Sequence, residues 1–125
     1  MKARILVADD DPATLDLLTY FLGSKGFEVV TADDGNRAVE VGSSGDFELA
    51  IVDIHMPMYD GVEVVDLLKR RHVLHPLKVI ALTGDLSSTV RSALAGRIDA
   101  YLTKPVDLHE LEAEVLRLSG ATSPG

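Results

Sequence analysis

Five short apolar runs divide this chain, and a stretch of helical periodicity follows each of them. The runs cover residues 4–8, 28–32, 49–52, 78–82 and 99–103. Apolar runs of roughly four to eight residues bounded by turn signals mark buried strands. Between them, Leu15, Leu18 and Leu22 recur at helical spacing after Asp11-Pro12, a helix start with Asp as cap and Pro in the first turn. Gly23 and Gly26 are placed to end that helix. Asp34-Gly35 leads into a weaker helix with Ala38, Val39 and Val41 apolar, closed by Gly42-Ser43-Ser44-Gly45. Asp60 followed by Glu63 resembles a capping box and opens a helix over 61–71. His75-Pro76 breaks the chain, and Val90, Ala93 and Leu94 give 87–95 a thin apolar stripe closed by Gly96. Asp107 with Glu110 repeats the capping-box pattern, and Leu108, Leu111, Val115 and Leu118 share one face of the last helix.

Strict alternation of strand and helix implies parallel strands, right-handed crossovers and helices on both faces of the sheet. The expected fold class is α/β, a doubly wound five-stranded parallel sheet of (βα)5 type with order 2-1-3-4-5, flavodoxin-like. A length of 125 residues fits one domain with one core, expected over 1–119, with 120–125 as a tail or the start of a linker.

Composition removes several function classes. The chain has no cysteine, so disulfides, thiol nucleophiles and thiolate metal sites are excluded. No apolar run approaches a membrane span, and no signal-peptide pattern opens the chain, so no membrane partner and a cytoplasmic location are expected. The formal charge of -8 repels phosphate backbones, so direct nucleic-acid binding is not expected.

The polar residues at the strand ends carry the chemistry. The first strand stops at Asp9 and Asp10, the third at Asp53, the fourth at Thr83 and the fifth at Lys104. In a parallel sheet these ends share one rim, and the topological switch lies between strands 1 and 3. Three carboxylates in one crevice need a compensating cation. Oxygen donors suit Mg²⁺, or Mn²⁺ in its place, and His55 is the rim's one nitrogen donor, which argues against zinc. Carboxylates, a divalent cation, a hydroxyl and an ammonium are the parts needed for phosphoryl transfer, and a carboxylate can itself be the acceptor. Taken singly, each has a plainer reading. Asp9 to Asp11 suit a helix N-terminus, Thr83 suits a turn, and Lys104 suits a solvated surface. Their joint occurrence on successive strand ends is the informative observation.

Four motifs carry a resemblance over about Arg4 to Leu118: R-I-L-V-A-D-D-D-P, I-V-D-I-H-M-P-M-Y-D-G, V-I-A-L-T-G and D-A-Y-L-T-K-P. In this order and spacing the chain resembles the receiver domain of a two-component response regulator, of the chemotaxis-regulator type. The resemblance implies phosphorelay signal transduction, with a sensor histidine kinase or phosphotransfer protein as donor. It makes Asp53 the phosphoacceptor. Asp10 and Asp53 become direct Mg²⁺ ligands, Asp9 a ligand through water, and the backbone carbonyl of His55 a further ligand. Thr83 matches the switch hydroxyl, Lys104 the lysine that pairs with the phosphoryl group, and Tyr101 the switch aromatic. Lys104-Pro105 is expected to be cis. The helix over 87–95, the following strand and the last helix would form the output surface, toward an effector or in a phosphorylation-dependent homodimer. The resemblance implies a non-enzymatic acceptor that takes phosphoryl from small donors and dephosphorylates itself. His55 and Asp85, each two residues past a site residue, are expected to tune dephosphorylation. Arg97 departs from the family pattern, standing where a small residue is usual.

Other readings fit less well. A phosphatase of the haloacid dehalogenase type needs an Asp two residues after the nucleophile, where this chain has His55. A flavin-binding module needs a phosphate loop that Asp9-Asp10-Asp11 would repel. A pseudo-receiver, a protein-interaction module independent of phosphorylation, stands as the alternative.

Overall fold

The computed structural model describes residues 3–44, 46–56, 60–71, 76–84 and 87–119. Strands and helices alternate along the chain: β1 (Arg4–Ala8), α1 (Pro12–Ser24), β2 (Glu28–Ala32), α2 (Gly35–Ser44), β3 (Leu49–Asp53), α3 (Gly61–Arg71), β4 (Lys78–Thr83), α4 (Ser88–Leu94), β5 (Ala100–Thr103) and α5 (Leu108–Ser119). The strands are parallel in the order β2-β1-β3-β4-β5, the expected doubly wound arrangement. The 120–125 tail lies outside the described residues.

Side chains alternate across the pleat, so each central strand feeds two cores. Ile5, Val7, Leu49, Ile51, Ile80 and Leu82 join Leu18, Leu22, Leu111 and Val115 beneath α1 and α5. Leu6, Ala8, Ala50, Val52 and Val79 join Val64, Val65 and Leu68 on the other face, under α2 and α3. Every residue of β3 is buried, which is why its sequence reads as an unbroken apolar run ending in a carboxylate. α4 rests on a small cluster of Ile54, Ala81 and Leu94, with Val62, Val90 and Ile98 alongside. Its thin stripe of apolar residues is real: Leu94 is the buried one.

Several element ends differ from the sequence reading. Gly23 lies inside α1, and the helix closes at Gly26, at φ 94°. There the Phe27 and Gly26 N–H groups donate to the Leu22 and Gly23 carbonyls, 3.1 Å each. That closure needs a left-handed residue, which Gly26 supplies. Gly42 and Ser43 do not close α2 but belong to it. Gly42 is where α2 approaches α3: a Cβ there would collide with Leu68 Cδ2 and lie 3.1 Å from Leu6 Cδ2. β4 runs on to include Thr83. Ser87 caps α4 from outside, and β5 starts at Ala100. Asp99 is instead tied to β4: its N–H donates to the Val79 carbonyl at 2.8 Å, and its carboxylate accepts the Val79 N–H at 2.8 Å.

Gly61 sets how the chain re-enters beneath the site. Its N–H donates to the Ile54 carbonyl at 3.1 Å, drawing the start of α3 against the end of β3. A Cβ at Gly61 would sit 2.5 Å from Ile54 Cα and 2.8 Å from its carbonyl oxygen. Backbone cannot step aside as a side-chain tip does, so Gly61→Ala is expected to destabilise the fold by about 2 kcal/mol. Urea denaturation measures this; an unchanged midpoint would show that the β3–α3 connection relaxes freely.

Candidate phosphoryl-transfer site

Strand register builds the site. Ala8 pairs with Val52, so Asp9 and Asp53 leave neighbouring strands at the same height. Asp53 pairs with Leu82, so Thr83 is one residue further out, and Thr83 pairs with Thr103. Lys104 lies one residue beyond again, and its N–H donates to the Thr83 carbonyl at 3.0 Å. A short side chain at that height would not reach Asp9 and Asp53; the lysine stem does. The Lys104-Pro105 bond is cis, as the resemblance implies.

The two buried aspartates are oriented alike. Asp9 Oδ1 accepts the Asp11 N–H and Asp53 Oδ1 accepts the His55 N–H, both at 2.9 Å. Each is an Asx turn that fixes one oxygen and leaves the other facing inward. Both inward oxygens meet Lys104: Nζ lies 2.8 Å from Asp9 Oδ2 and 3.0 Å from Asp53 Oδ2. The Asp53 contact is an aligned hydrogen bond. The Asp9 contact is between charges, and that buried oxygen has no aligned hydrogen bond.

Asp9, Asp10 and Asp53 each offer an oxygen, all within 4.8 Å of one another. One ammonium against three carboxylates leaves a net negative charge. Burial pushes the Asp9 carboxyl above its usual range, and the Asp53 charge adds to this, against the pull of Lys104 and the Asp11 N–H. Burial draws Lys104 down, but its bonds and charge contacts with Asp9 and Asp53 outweigh that and raise it. The residues fit a hard divalent cation: the donors are carboxylate oxygens, and one buried oxygen lacks a hydrogen bond.

The structure therefore brings Asp9, Asp10, Asp53 and Lys104 together at one rim, with Thr83 fully buried in the same register. His55 is exposed; its backbone bridges to Asp60. Tyr101, on the edge strand β5, is 38% exposed. Asp85 lies outside the described residues. Two features escaped the sequence reading. The Asx turns are local and visible in principle from the Asp spacing. The cleft of about 760 Å³ beside Asp10 is not, since Ile54, His55, Val62, Val90 and Leu94 come from three separate segments.

The charge crowding has a measurable consequence. A carboxyl whose folded pKa is raised above its unfolded value costs stability as pH rises through the folded value. Asp9→Asn should therefore raise the melting temperature by about 2–5 °C at neutral pH in a chelator. The gain should vanish below the ordinary carboxylate range, where Asp9 is protonated anyway. Thermal unfolding at the two pH values checks this; a drop at neutral pH would mean that the Lys104 contact outweighs burial.

Comparisons with known proteins agree with the fold. The family model for the response regulator receiver domain matches residues 5–116. The transcriptional regulatory protein TcrA of Mycobacterium tuberculosis is 37% identical over 116 residues, 93% of this chain and 46% of that protein. The chain thus spans about half the length of such curated relatives. The response regulator TrrA of Thermotoga maritima, solved in complex with Mg(2+)-BeF, superposes with a TM-score of 0.82 at 37% identity, covering 94% of this chain and 99% of that one. The Saccharomyces cerevisiae receiver domain of Ssk1, solved with the histidine phosphotransfer protein Ypd1, gives 0.85 at 25% identity, covering 98% and 92%. Among the described residues, no helix is long and apolar enough to cross a membrane. By the match over residues 5–116 and the sheet order that carries it, this chain belongs to the response regulator receiver domains, the phosphorelay signalling modules of two-component systems.

Proposed function

We propose that Asp53 accepts a phosphoryl group from a phosphohistidine on a sensor histidine kinase or phosphotransfer protein, in a reaction that depends on Mg²⁺ or Mn²⁺. The observation that carries this reading is the Asp53 carboxylate itself, held by the His55 N–H at 2.9 Å and Lys104 at 3.0 Å. The TrrA complex with Mg(2+)-BeF and the Ypd1 complex support the cation and the class of donor. An Asp53 oxygen attacks phosphorus, the P–N bond breaks, and the imidazole nitrogen keeps the electron pair. The product is an acyl phosphate on Asp53. Lys104, already within reach of Asp53, pairs with the incoming charge, and Thr83 supplies a hydroxyl. Asp9, Asp10, Asp53 and the His55 carbonyl would hold the cation, which when bound neutralises charge on the transferring oxygens.

Phosphorylation adds charge to a rim that holds a single ammonium against three carboxylates. Thr83 and Lys104 then favour a second arrangement in which α4 and Tyr101 shift. The altered surface of α4, β5 and α5 addresses an effector domain or protein, or a second copy of the chain. His55 and Asp85 tune the return by hydrolysis. The domain acts as a phosphoacceptor with self-catalysed phosphorylation and dephosphorylation, in the cytoplasm, over residues 1–119.

Intact mass after incubation with acetyl phosphate tests this. Wild type should gain one phosphoryl group with Mg²⁺ and none in chelator, and Asp53→Asn should gain none. No gain from several donors and a histidine kinase would make the chain a phosphorylation-independent interaction module.

A further inference from the structure

α4 is a short helix that buries little of itself against the sheet. It has seven residues, and the buried apolar side chain it contributes is Leu94. Its outer turns form a wall of the 760 Å³ cleft, where Thr89, Val90, Ala93 and Leu94 stand opposite Asp10, Ile54 and His55. Whatever fixes α4 therefore fixes the mouth of the site.

The carboxyl end of α4 is held by polar contacts. The Arg97 N–H donates to the Leu94 carbonyl at 2.9 Å, and Arg97 Nη1 donates to the Ala93 carbonyl at 2.8 Å. The same guanidinium reaches α3, where Nε lies 3.0 Å from Asp66 Oδ1 and 3.3 Å from Oδ2. One turn further along α3, Lys69 Nζ stands 3.6 Å from Asp99 Oδ2. Segment 97–99 is thus clamped between α3 and β4, with Arg97 as the part that grips α4. A small residue at this position would make none of these side-chain contacts.

We infer that Arg97 and Asp66 are a positioning pair: they hold α4 against α3 in the unphosphorylated arrangement and act as a brake on the reaction at Asp53. This rests on the proposed phosphoryl transfer. The logic is differential. The contacts of Arg97 are made in the same arrangement in which Lys104 bridges Asp9 and Asp53. A contact that holds one arrangement has to be strained or released when the helix moves, and it shifts the equilibrium by no more than its own strength. Arg97 and Asp66 side chains are 41% and 39% exposed, so that strength is modest and sensitive to salt.

The test uses Arg97→Gln, Asp66→Asn and the charge swap of Asp66→Arg with Arg97→Asp. In the unphosphorylated chain, amide exchange by NMR at Ala93, Leu94 and Arg97 should quicken about two- to five-fold in each single variant, and β3 amides should not change. The difference should shrink at high salt, and the swap should recover part of the protection. With acetyl phosphate and Mg²⁺, the single variants should gain phosphoryl about two- to five-fold faster than wild type. Unchanged exchange overturns the anchoring. Faster exchange with an unchanged phosphorylation rate overturns the brake, while the proposed function stands. A wild type that takes no phosphoryl group sinks the proposed function and the brake with it, and the exchange data then report an anchor of structural meaning alone.

Discussion

A single ammonium holds two buried carboxylates at the rim of this sheet, and the rest of the molecule is arranged to make that contact hold. Lys104 meets Asp9 at 2.8 Å and Asp53 at 3.0 Å. Without it the two acids, both almost fully buried, would face each other with their charges uncompensated. Each acid gives one oxygen to a backbone N–H two residues on, so neither turns away from the cation. Both acids are thus held from two sides, by a backbone N–H and by the ammonium. It is also still net negative, which suits a divalent cation and disfavours a bare phosphate.

The face beneath α1 and α5 is lined by large side chains such as Ile5, Leu49, Ile51 and Leu82. The opposite face mixes Leu6, Val52 and Val79 with Ala8 and Ala50, and the strand residue under α4 is Ala81. Small residues on the strands let helices sit close, but they give α4 little to bury. Exposed polar contacts of Arg97 add to that small apolar cluster.

Much of this was legible in the chain. The Asp11-Pro12 start, the Asp60 and Asp107 caps and the unbroken run of β3 are local effects, and each reappears in the structure: Asp11 accepts the Ala13 N–H, Asp60 the Val62 N–H, and Asp107 those of His109 and Glu110. The glycines read less well. Gly23 and Gly42 resemble helix ends, yet both lie within helices. Gly42 sits at a close contact with α3, and a glycine placed for such a contact looks the same in sequence as one placed for a turn; no contact among the described residues explains Gly23. Asp99 resembled a strand residue, yet its carboxylate takes the place of a ladder partner for Val79. Nothing in the sequence pairs Asp66 with Arg97 across thirty-one positions.

The sequence by itself determined the order of elements, the sheet topology and the residue types at each strand end, because these follow from local periodicity, caps and the chirality of crossovers. It also put Asp9, Asp10, Asp53, Thr83 and Lys104 at strand ends that share one rim, since parallel strands put all their carboxyl ends on one side. Tertiary structure alone decided the heights at which those ends stand, hence that Lys104 spans from the fifth strand to Asp9 and Asp53. It likewise decided that α4 meets only a small apolar cluster and that the Arg97 guanidinium reaches both its last turn and α3. The physical reason is that register, packing distance and ion pairing join residues far apart in the chain, and such contacts leave no mark on the spacing of either partner.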